Sequence, residues 1–278
     1  VRLADSYDGF LIDLDGVVWL GHDMLPGAAD TLSALSAEGK RIAFVTNSPR
    51  LTPGEHAGVL RSGGVPVTDE QVVTAASTLI GAATERLGPE PRVIAIGTEP
   101  FLRQVDAAGI VRLDHGKWDE AEAVLVSGHV DFNYAELKAA AMAARNGALL
   151  AATGRDPTMP MPDGLWPGTG SILAAIETAS ETRGFITGKP ERRIFETGLG
   201  RIGASTASAS GAGTIDVESG DPLRVAMIGD RLDTDVGGGQ GAGLDGILVT
   251  GDRPAAEHPE VTPDHVISSL TGLLESPG

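Results

Sequence analysis

Four short runs in this sequence combine side chains that can hold or transfer charge. The first is Asp13-Leu14-Asp15-Gly16, which follows the apolar run GFLI. Residues two apart on a strand point to one side, so this spacing lets both carboxylates reach one pocket as the strand ends. Two close carboxylates repel each other, and a divalent cation between them removes the conflict. An Asp turn closed by glycine is the plainer reading of the same residues. A calcium loop fails, because Val17 stands where a third oxygen ligand is needed. The second run, Thr46-Asn47-Ser48-Pro49, follows RIAFV and offers a hydroxyl and an amide that can donate to a phosphate oxygen; such residues are also common turn formers. In the third, Gly188-Lys189-Pro190, the lysine stands before a helix that Pro190 is predicted to open. A cation there opposes the helix dipole unless an anion binds, in which case the ammonium and the free N–H groups converge on it. Taken alone, the lysine reads as solvated. The fourth run, Gly229-Asp230-Arg231-Leu232-Asp233-Thr234-Asp235, puts three acids within six residues. They cannot all be buried unpaired, and either a metal or an acidic helix N-terminus accounts for them.

These runs need a scaffold that brings them together. Short Val- and Ile-rich stretches predict strands at 9–14, 41–46, 91–97, 121–127, 147–153, 184–187, 223–229 and 246–250. They are apolar on both faces, the pattern of a parallel sheet covered by helices on each side. Between them lie helical patterns. Pro26 opens one that Gly39 closes, Thr52-Pro53-Gly54-Glu55 has the form of a capping box, and Asn133 to Gly147 reads as an Ala-rich helix. The alternation predicts an α/β fold. Each of the four runs closes a predicted strand, the edge at which open α/β sheets bind ligands. Residues 204–221 are small, polar and Gly/Ser-rich and predict a mobile surface loop. The run Gly237-Gly238-Gly239 is poor helix material.

Composition removes whole classes of function. Lys and Arg total 21 against 38 Asp and Glu, a formal net charge of −17 that argues against nonspecific binding to nucleic acid or to an anionic membrane surface. There is no cysteine, which excludes disulfides, thiolate zinc sites and cysteine nucleophiles. No apolar run reaches the ~18 residues of a membrane span, and the first one is interrupted by Asp13 and Asp15, so the sequence reads as that of a soluble cytoplasmic protein. Gly241-x-Gly243-x-x-Gly246 fits the dinucleotide pattern literally, but it precedes a strand and reads as a helix-to-strand turn.

Together the four runs make a phosphoryl-transfer set: a carboxylate to attack phosphorus, a second to exchange the proton, a hydroxyl, an amide and a lysine for the phosphoryl oxygens, and carboxylates to hold Mg²⁺. In FLIDLDGVVWLG, FVTNS, GKP and IGDRLDTDV, in that order, the sequence resembles the haloacid dehalogenase (HAD) superfamily. It is most similar to the branch of nitrophenylphosphatases and of phosphoglycolate, glycerol-phosphate and pyridoxal-phosphate phosphatases. Residues 152–180 resemble the cap loop and cap helix of that branch. The resemblance implies a Rossmann-like core at 1–77 and 184–278 with an inserted α/β cap at 78–183.

Carried over by position, it implies Asp13 as the nucleophile that forms an aspartyl-phosphate and binds Mg²⁺. Asp15 becomes the general acid/base, its backbone carbonyl a metal ligand. Thr46 and Asn47 hold the phosphoryl group, Lys189 neutralises charge there, and Asp230 is the third metal ligand. Asp235 acts on metal-bound water or on Lys189, and Asp233 lies on the surface. Arg155, Asp156, Met159 and Trp166 belong to the leaving-group pocket, with Trp166 equally readable as cap packing. Relatives often carry Asp or Asn at Gly154, and pyridoxal-phosphate enzymes can carry His at Met159; glycine and methionine here argue against pyridoxal phosphate. The resemblance thus implies a small phosphate monoester as substrate and a homodimer through the cap. A phosphotransfer switch and a non-catalytic phosphate-binding protein are the alternatives on this fold.

Overall fold

The computed structural model describes residues 1–21, 23–161, 163–205, 214–215, 222–254 and 258–276. Contacts divide the chain into two units. Unit 1 comprises Val1–Thr46, Pro53–Val73 and Lys189–Gly278, and unit 2 comprises Asn47–Thr52 and Thr74–Gly188.

The chain begins unit 1 with β1 (Gly9–Ile12), the short antiparallel pair β2 (Trp19–Leu20) and β3 (Asp23–Met24), and α1 (Ala28–Ala37). Next come β4 (Arg41–Thr46), α2 (Pro53–Ser62) and β5 (Val72–Thr74). All four residues of β1 are buried, as expected of a strand covered on both faces. Phe10 and Ile12 pack with Phe44, Ile228 and Leu32 in one core cluster. The apolar run predicted to end at residue 14 leaves the strand after Ile12. Helix α1 starts two residues after Pro26, behind a left-handed Gly27.

Unit 2 follows as an insertion: α3 (Ala75–Leu87), β6 (Arg92–Ile96), α4 (Glu99–Ala107), β7 (Val111–Arg112), β8 (Ala123–Val126), α5 (Tyr134–Arg145), β9 (Leu149–Ala152), the hairpin β10 (Thr158–Met161) and β11 (Gly164–Pro167), α6 (Thr169–Ser180) and β12 (Phe185–Ile186). Its own five-stranded sheet runs β12-β9-β8-β6-β7 with every pair parallel. Helix α5 starts where its cap residue allows. Asn133 Oδ1 accepts from the N–H groups of Ala135 and Glu136 at 2.9 and 3.2 Å, and Glu136 answers by accepting from the Asn133 N–H at 3.0 Å. The β10–β11 hairpin is not in the predicted strand set. Its strands carry Pro160 and Pro167 and lack the Val/Ile signature, so pairing rather than composition defines them.

Unit 1 resumes with α7 (Arg192–Arg201), β13 (Thr214–Ile215), β14 (Leu223–Gly229), a π-helical turn at Leu232–Gly237, α8 (Gly238–Gly241), β15 (Asp245–Val249) and β16 (His265–Ile267). Pro190 does not open α7: Glu191 after it is extended with ψ 139°, so helical geometry begins at Arg192. The unit 1 sheet has the order β16-β15-β14-β1-β4-β5, and the pairs from β16 through β4 are parallel. Of the Gly/Ser-rich segment 204–221, Thr214–Ile215 pair antiparallel with β14; 206–213 and 216–221, on which the loop expectation falls, lie outside the described residues.

The triple glycine is helical after all. A Cβ at Gly238 would lie 2.8 Å from Phe195 Cζ, and one at Gly239 would lie 2.6 Å from Met227 Cβ. Low helix propensity is accepted here because it lets α8 approach α7 and β14 closely. The GxGxxG match spans the turn from α8 into β15. Among the described residues no helix is long and apolar enough to cross a membrane.

Candidate active site

Strands β14, β1 and β4 lie side by side and run parallel, with Ile12 in register with Ile228 on one side and Phe44 on the other. Asp13, Thr46 and Asp230 therefore leave the sheet at one edge, its C-terminal edge, in the region where the chain crosses from one side of β1 to the other. The Asp13 N–H donates to the Ile228 carbonyl at 2.9 Å, which continues the ladder one residue past β1 and fixes where the side chain starts.

The ammonium of Lys189 lies between two carboxylates. Its Nζ is 2.7 Å from Asp13 Oδ1 and 2.6 Å from Asp235 Oδ1, and all three side chains are buried. The expectation of a solvated lysine, drawn from the residue alone, is overturned: two facing carboxylates supply the charge that makes burial tolerable. Asp235 is held from its other oxygen, which accepts the Arg231 N–H at 3.1 Å. The close approach of this side chain to β14 requires glycine at 229, where a Cβ would overlap the Asp235 side chain. Glycine is required at 16 as well, where φ is +84° and a Cβ would lie 2.5 Å from Asp230 Oδ2.

The electrostatics follow from this packing. Burial pushes the Asp13 carboxyl up to about 7, with Asp235 adding to the shift and Lys189 opposing it. Burial would push Lys189 down, but the charges of Asp13 and Asp235 outweigh it and hold the ammonium above the usual lysine value. Asp230 is raised by burial and by Asp235, against the pull of Arg253 at 3.4 Å. Three carboxylates around one ammonium leave an excess of negative charge. Asp13, Asp230 and Asp235 each offer an oxygen, all within 4.8 Å of one another. Hard oxygen donors with surplus negative charge fit a hard divalent cation.

The remaining expected residues fall in different places. Asp15 is half-buried, and its carboxylate turns toward Trp19, whose indole N–H donates to Oδ1 at 3.3 Å. Among the described residues the clustered carboxylates are those of Asp13, Asp230 and Asp235, whereas Asp15 was expected to bind a metal through its backbone carbonyl. Thr46 is buried at the end of β4. Asn47 begins unit 2, where its side-chain oxygen packs so close to Gly188 that a Cβ there would be 2.5 Å away. Asp233 is exposed and pairs with Arg231 at 3.2 Å.

In unit 2, the Arg155 guanidinium donates to both Glu177 oxygens, at 2.7 and 3.0 Å, and to the Gly184 carbonyl at 2.8 Å. The Asp156 carbonyl accepts the Gly170 N–H at 2.9 Å. Met159 and Trp166 are cross-strand partners on the hairpin, and the Trp166 indole donates to Asp163 at 2.8 Å. Two residues of unit 1 were not singled out in the sequence. Arg253 contacts Asp230, and Trp19 contacts Asp15. A tryptophan four residues after an acid is a readable signal, since a buried indole N–H needs an acceptor; Arg253 lies 23 residues from its partner and carries no such signal.

Comparison with known proteins agrees with this geometry. The haloacid dehalogenase-like hydrolase family matches residues 10–111, and a HAD-hydrolase-like family matches residues 186–273. The chain is 34% identical over 247 residues to the D-glycerol 3-phosphate phosphatase of Mycobacterium tuberculosis, covering 89% of this chain and 64% of that enzyme. It is 33% identical to rat chronophin, covering 97% of this chain and 88% of chronophin. Among solved structures, the glycerol phosphate phosphatase of Mycobacterium tuberculosis in complex with magnesium matches with a TM-score of 0.81 and 31% identity, over 98% of this chain and 78% of that one. With a parallel sheet whose C-terminal edge gathers Asp13, Thr46, Lys189 and Asp230, the chain belongs to the haloacid dehalogenase-like hydrolases, in the branch that holds these phosphatases.

Proposed function

We propose that the protein is a Mg²⁺-dependent phosphomonoesterase that hydrolyses a small phosphorylated metabolite through an aspartyl-phosphate on Asp13. The observation that carries this reading is the buried Lys189 ammonium between Asp13 and Asp235, with Asp230 beside them. Lys189 opposes the burial that pushes the Asp13 carboxyl up to about 7, and so favours the ionised carboxylate that the reaction needs as its nucleophile. Asp235 holds Lys189 in place.

An Asp13 oxygen attacks phosphorus. The bond from phosphorus to the ester oxygen breaks with its electron pair on the oxygen, which takes a proton from Asp15. The Thr46 hydroxyl and the Asn47 amide donate to the phosphoryl oxygens, and Lys189 neutralises the charge shared with Asp13. In the second half, water attacks the phosphorus of the aspartyl-phosphate, gives its proton to Asp15, and Asp13 is released as carboxylate. Mg²⁺, held by Asp13, Asp230 and the Asp15 carbonyl, would supply positive charge between nucleophile and phosphate.

Substrates of the glycerol 3-phosphate, phosphoglycolate or sugar phosphate type fit this reading, and the first two are named for relatives. Selectivity among them is assigned to Met159 and Trp166. Arg155 is assigned instead to holding unit 2 together, because Glu177 and Gly184 take up its guanidinium.

The test is phosphate release from a panel of such esters and nitrophenyl phosphate, with Mg²⁺ or EDTA, for wild type and Asp13→Asn. Mg²⁺-dependent turnover that Asp13→Asn abolishes is the expected result. Stoichiometric labelling without turnover, or no reaction on any ester by folded protein, would overturn the proposal in favour of a switch or a binding protein.

A further inference from the structure

Asp15 and Trp19 are joined more tightly than a four-residue spacing requires. The Gly16 N–H donates to the Trp19 carbonyl at 2.8 Å, and the Trp19 N–H donates to the Leu14 carbonyl at 3.2 Å, so backbone bonds close the turn that holds both side chains. Across that turn the indole N–H reaches Asp15 Oδ1 at 3.3 Å. The indole itself has little freedom. Trp19 is 1% exposed, and its ring stacks on His56 of α2 with centroids 5.8 Å apart and planes 12° apart. His56 is buried in turn at 2% exposure. The polar edge of an otherwise enclosed aromatic ring is thus aimed at one oxygen of a half-buried carboxylate.

We infer that Trp19 is a positioning residue for proton transfer by Asp15: its indole N–H holds Oδ1 and makes Oδ2 the oxygen that exchanges the proton. The inference rests on the role of Asp15 proposed above. An indole can only donate, and the oxygen without a proton is the stronger acceptor of a carboxyl group, so the indole favours the form in which Oδ1 carries no proton. The proton of the acid form is thereby directed to Oδ2. When the phosphorus–ester bond breaks, the electron pair goes to the ester oxygen, which takes the Oδ2 proton and leaves Asp15 as carboxylate. When water later attacks the aspartyl-phosphate, Oδ2 takes the water proton back. His56 acts one step further out, as the wall that keeps the indole plane from turning.

This role makes a prediction that simple packing does not. An alkyl phosphate expels a poor alkoxide and needs the proton, whereas nitrophenyl phosphate expels a stable phenolate and does not. The variant Trp19→Phe keeps an aromatic ring against His56 and removes the donor. The parameter to compare is kcat/KM, which reports events up to leaving-group departure and excludes the later water attack. For Trp19→Phe we expect kcat/KM on glycerol 3-phosphate to fall about tenfold, a fraction of the full general-acid contribution. On nitrophenyl phosphate it should stay within about twofold of wild type. Equal losses on both esters, or no loss on either, would overturn the role of Trp19.

Asp15→Asn separates this proposal from the one beneath it. If Asp15→Asn discriminates between the two esters and Trp19→Phe does not, the Trp19 role alone is wrong. If Asp15→Asn spares both esters, Asp15 is not the acid and both readings fall. Should Trp19→Phe fail to fold, NMR of the three tryptophan indole N–H groups replaces it. One indole resonance must shift between wild type and Asp15→Asn, and its absence from that shift would refute the contact.

Discussion

Lys189→Met removes one ammonium from a buried cluster and keeps the side-chain length. At an effective dielectric of ~20, each Lys–Asp contact at these distances is worth about 6 kcal/mol of Coulomb attraction, and two carboxylate oxygens at 4.8 Å repel by about 3.5 kcal/mol. Without the ammonium, burial and that repulsion together drive the folded protein to take up one more proton than the wild type does. Protonating a carboxyl with an ordinary pKa near 3.9 costs about 4 kcal/mol at pH 7, which sets the expected loss of stability and agrees with the range for breaking a buried pair. The sign with pH follows. Above pH ~4 the variant takes up one more carboxyl proton on folding than the wild type does, so its deficit grows by about 1.4 kcal/mol per unit as pH rises and closes as pH falls to that value. Urea unfolding in EDTA between pH 4 and 7 measures both quantities. Mg²⁺ should narrow the deficit, because a divalent ion replaces the lost positive charge. Turnover should drop by at least about 10²-fold even with Mg²⁺ present, since a charge aimed at the phosphoryl group is missing. A deficit below ~1 kcal/mol at pH 7, or one that does not change with pH, would refute the assignment of this cluster as charge-compensated by Lys189.

Two further outcomes are expected. Gly229→Ala places a methyl group against Asp235, so it should cost about 1–3 kcal/mol of stability and also reduce turnover by displacing the partner of Lys189; thermal unfolding and phosphate release measured together check it, and full activity at lowered stability would refute the link. Glu177→Gln weakens the bonds to Arg155, Arg183 and the Gly184 N–H, and should destabilise unit 2 by about 1.5–3 kcal/mol at neutral pH. The Arg155 hydrogen bonds hold the Glu177 carboxyl below the usual range, so wild type should keep this advantage above its ordinary pKa and lose it as pH falls through the depressed one, which thermal melts from pH 7 to 3 would show.

Much of this protein is legible in its residues. Strands such as Arg41–Thr46 and Leu223–Gly229 declare themselves because a parallel strand buried on both faces must be almost continuously apolar. The acids, the threonine and the lysine declare themselves because polar residues at the ends of such runs are otherwise hard to explain. Helix α5 begins where Asn133 and Glu136 form their reciprocal cap, an interaction local enough to be written in four residues. The short pairs are different. β10 with β11 and β2 with β3 exist by cross-strand hydrogen bonding, and neither pair carries a composition signal of its own.

The chemistry divides along the same line. Sequence by itself determined which groups are available: two aspartates two apart, a hydroxyl at a strand end, a lysine, and a second acidic run, all on an α/β scaffold. Tertiary structure alone decided which of them share charge. Lys189 reads as solvated until Asp13 and Asp235 arrive from 176 and 46 residues away, and only then does its burial make sense. Residue type alone does not separate Asp235 from Asp233, although the resemblance does, and the fold buries one on Lys189 and leaves the other exposed beside Arg231. The triple glycine looks like a break in a helix until Phe195, Pro190 and Met227 are seen to leave no room for a Cβ. Local preference travels a few residues along the chain, whereas desolvation and Coulomb energy depend on what lies within a few ångströms, and only the folded chain sets that.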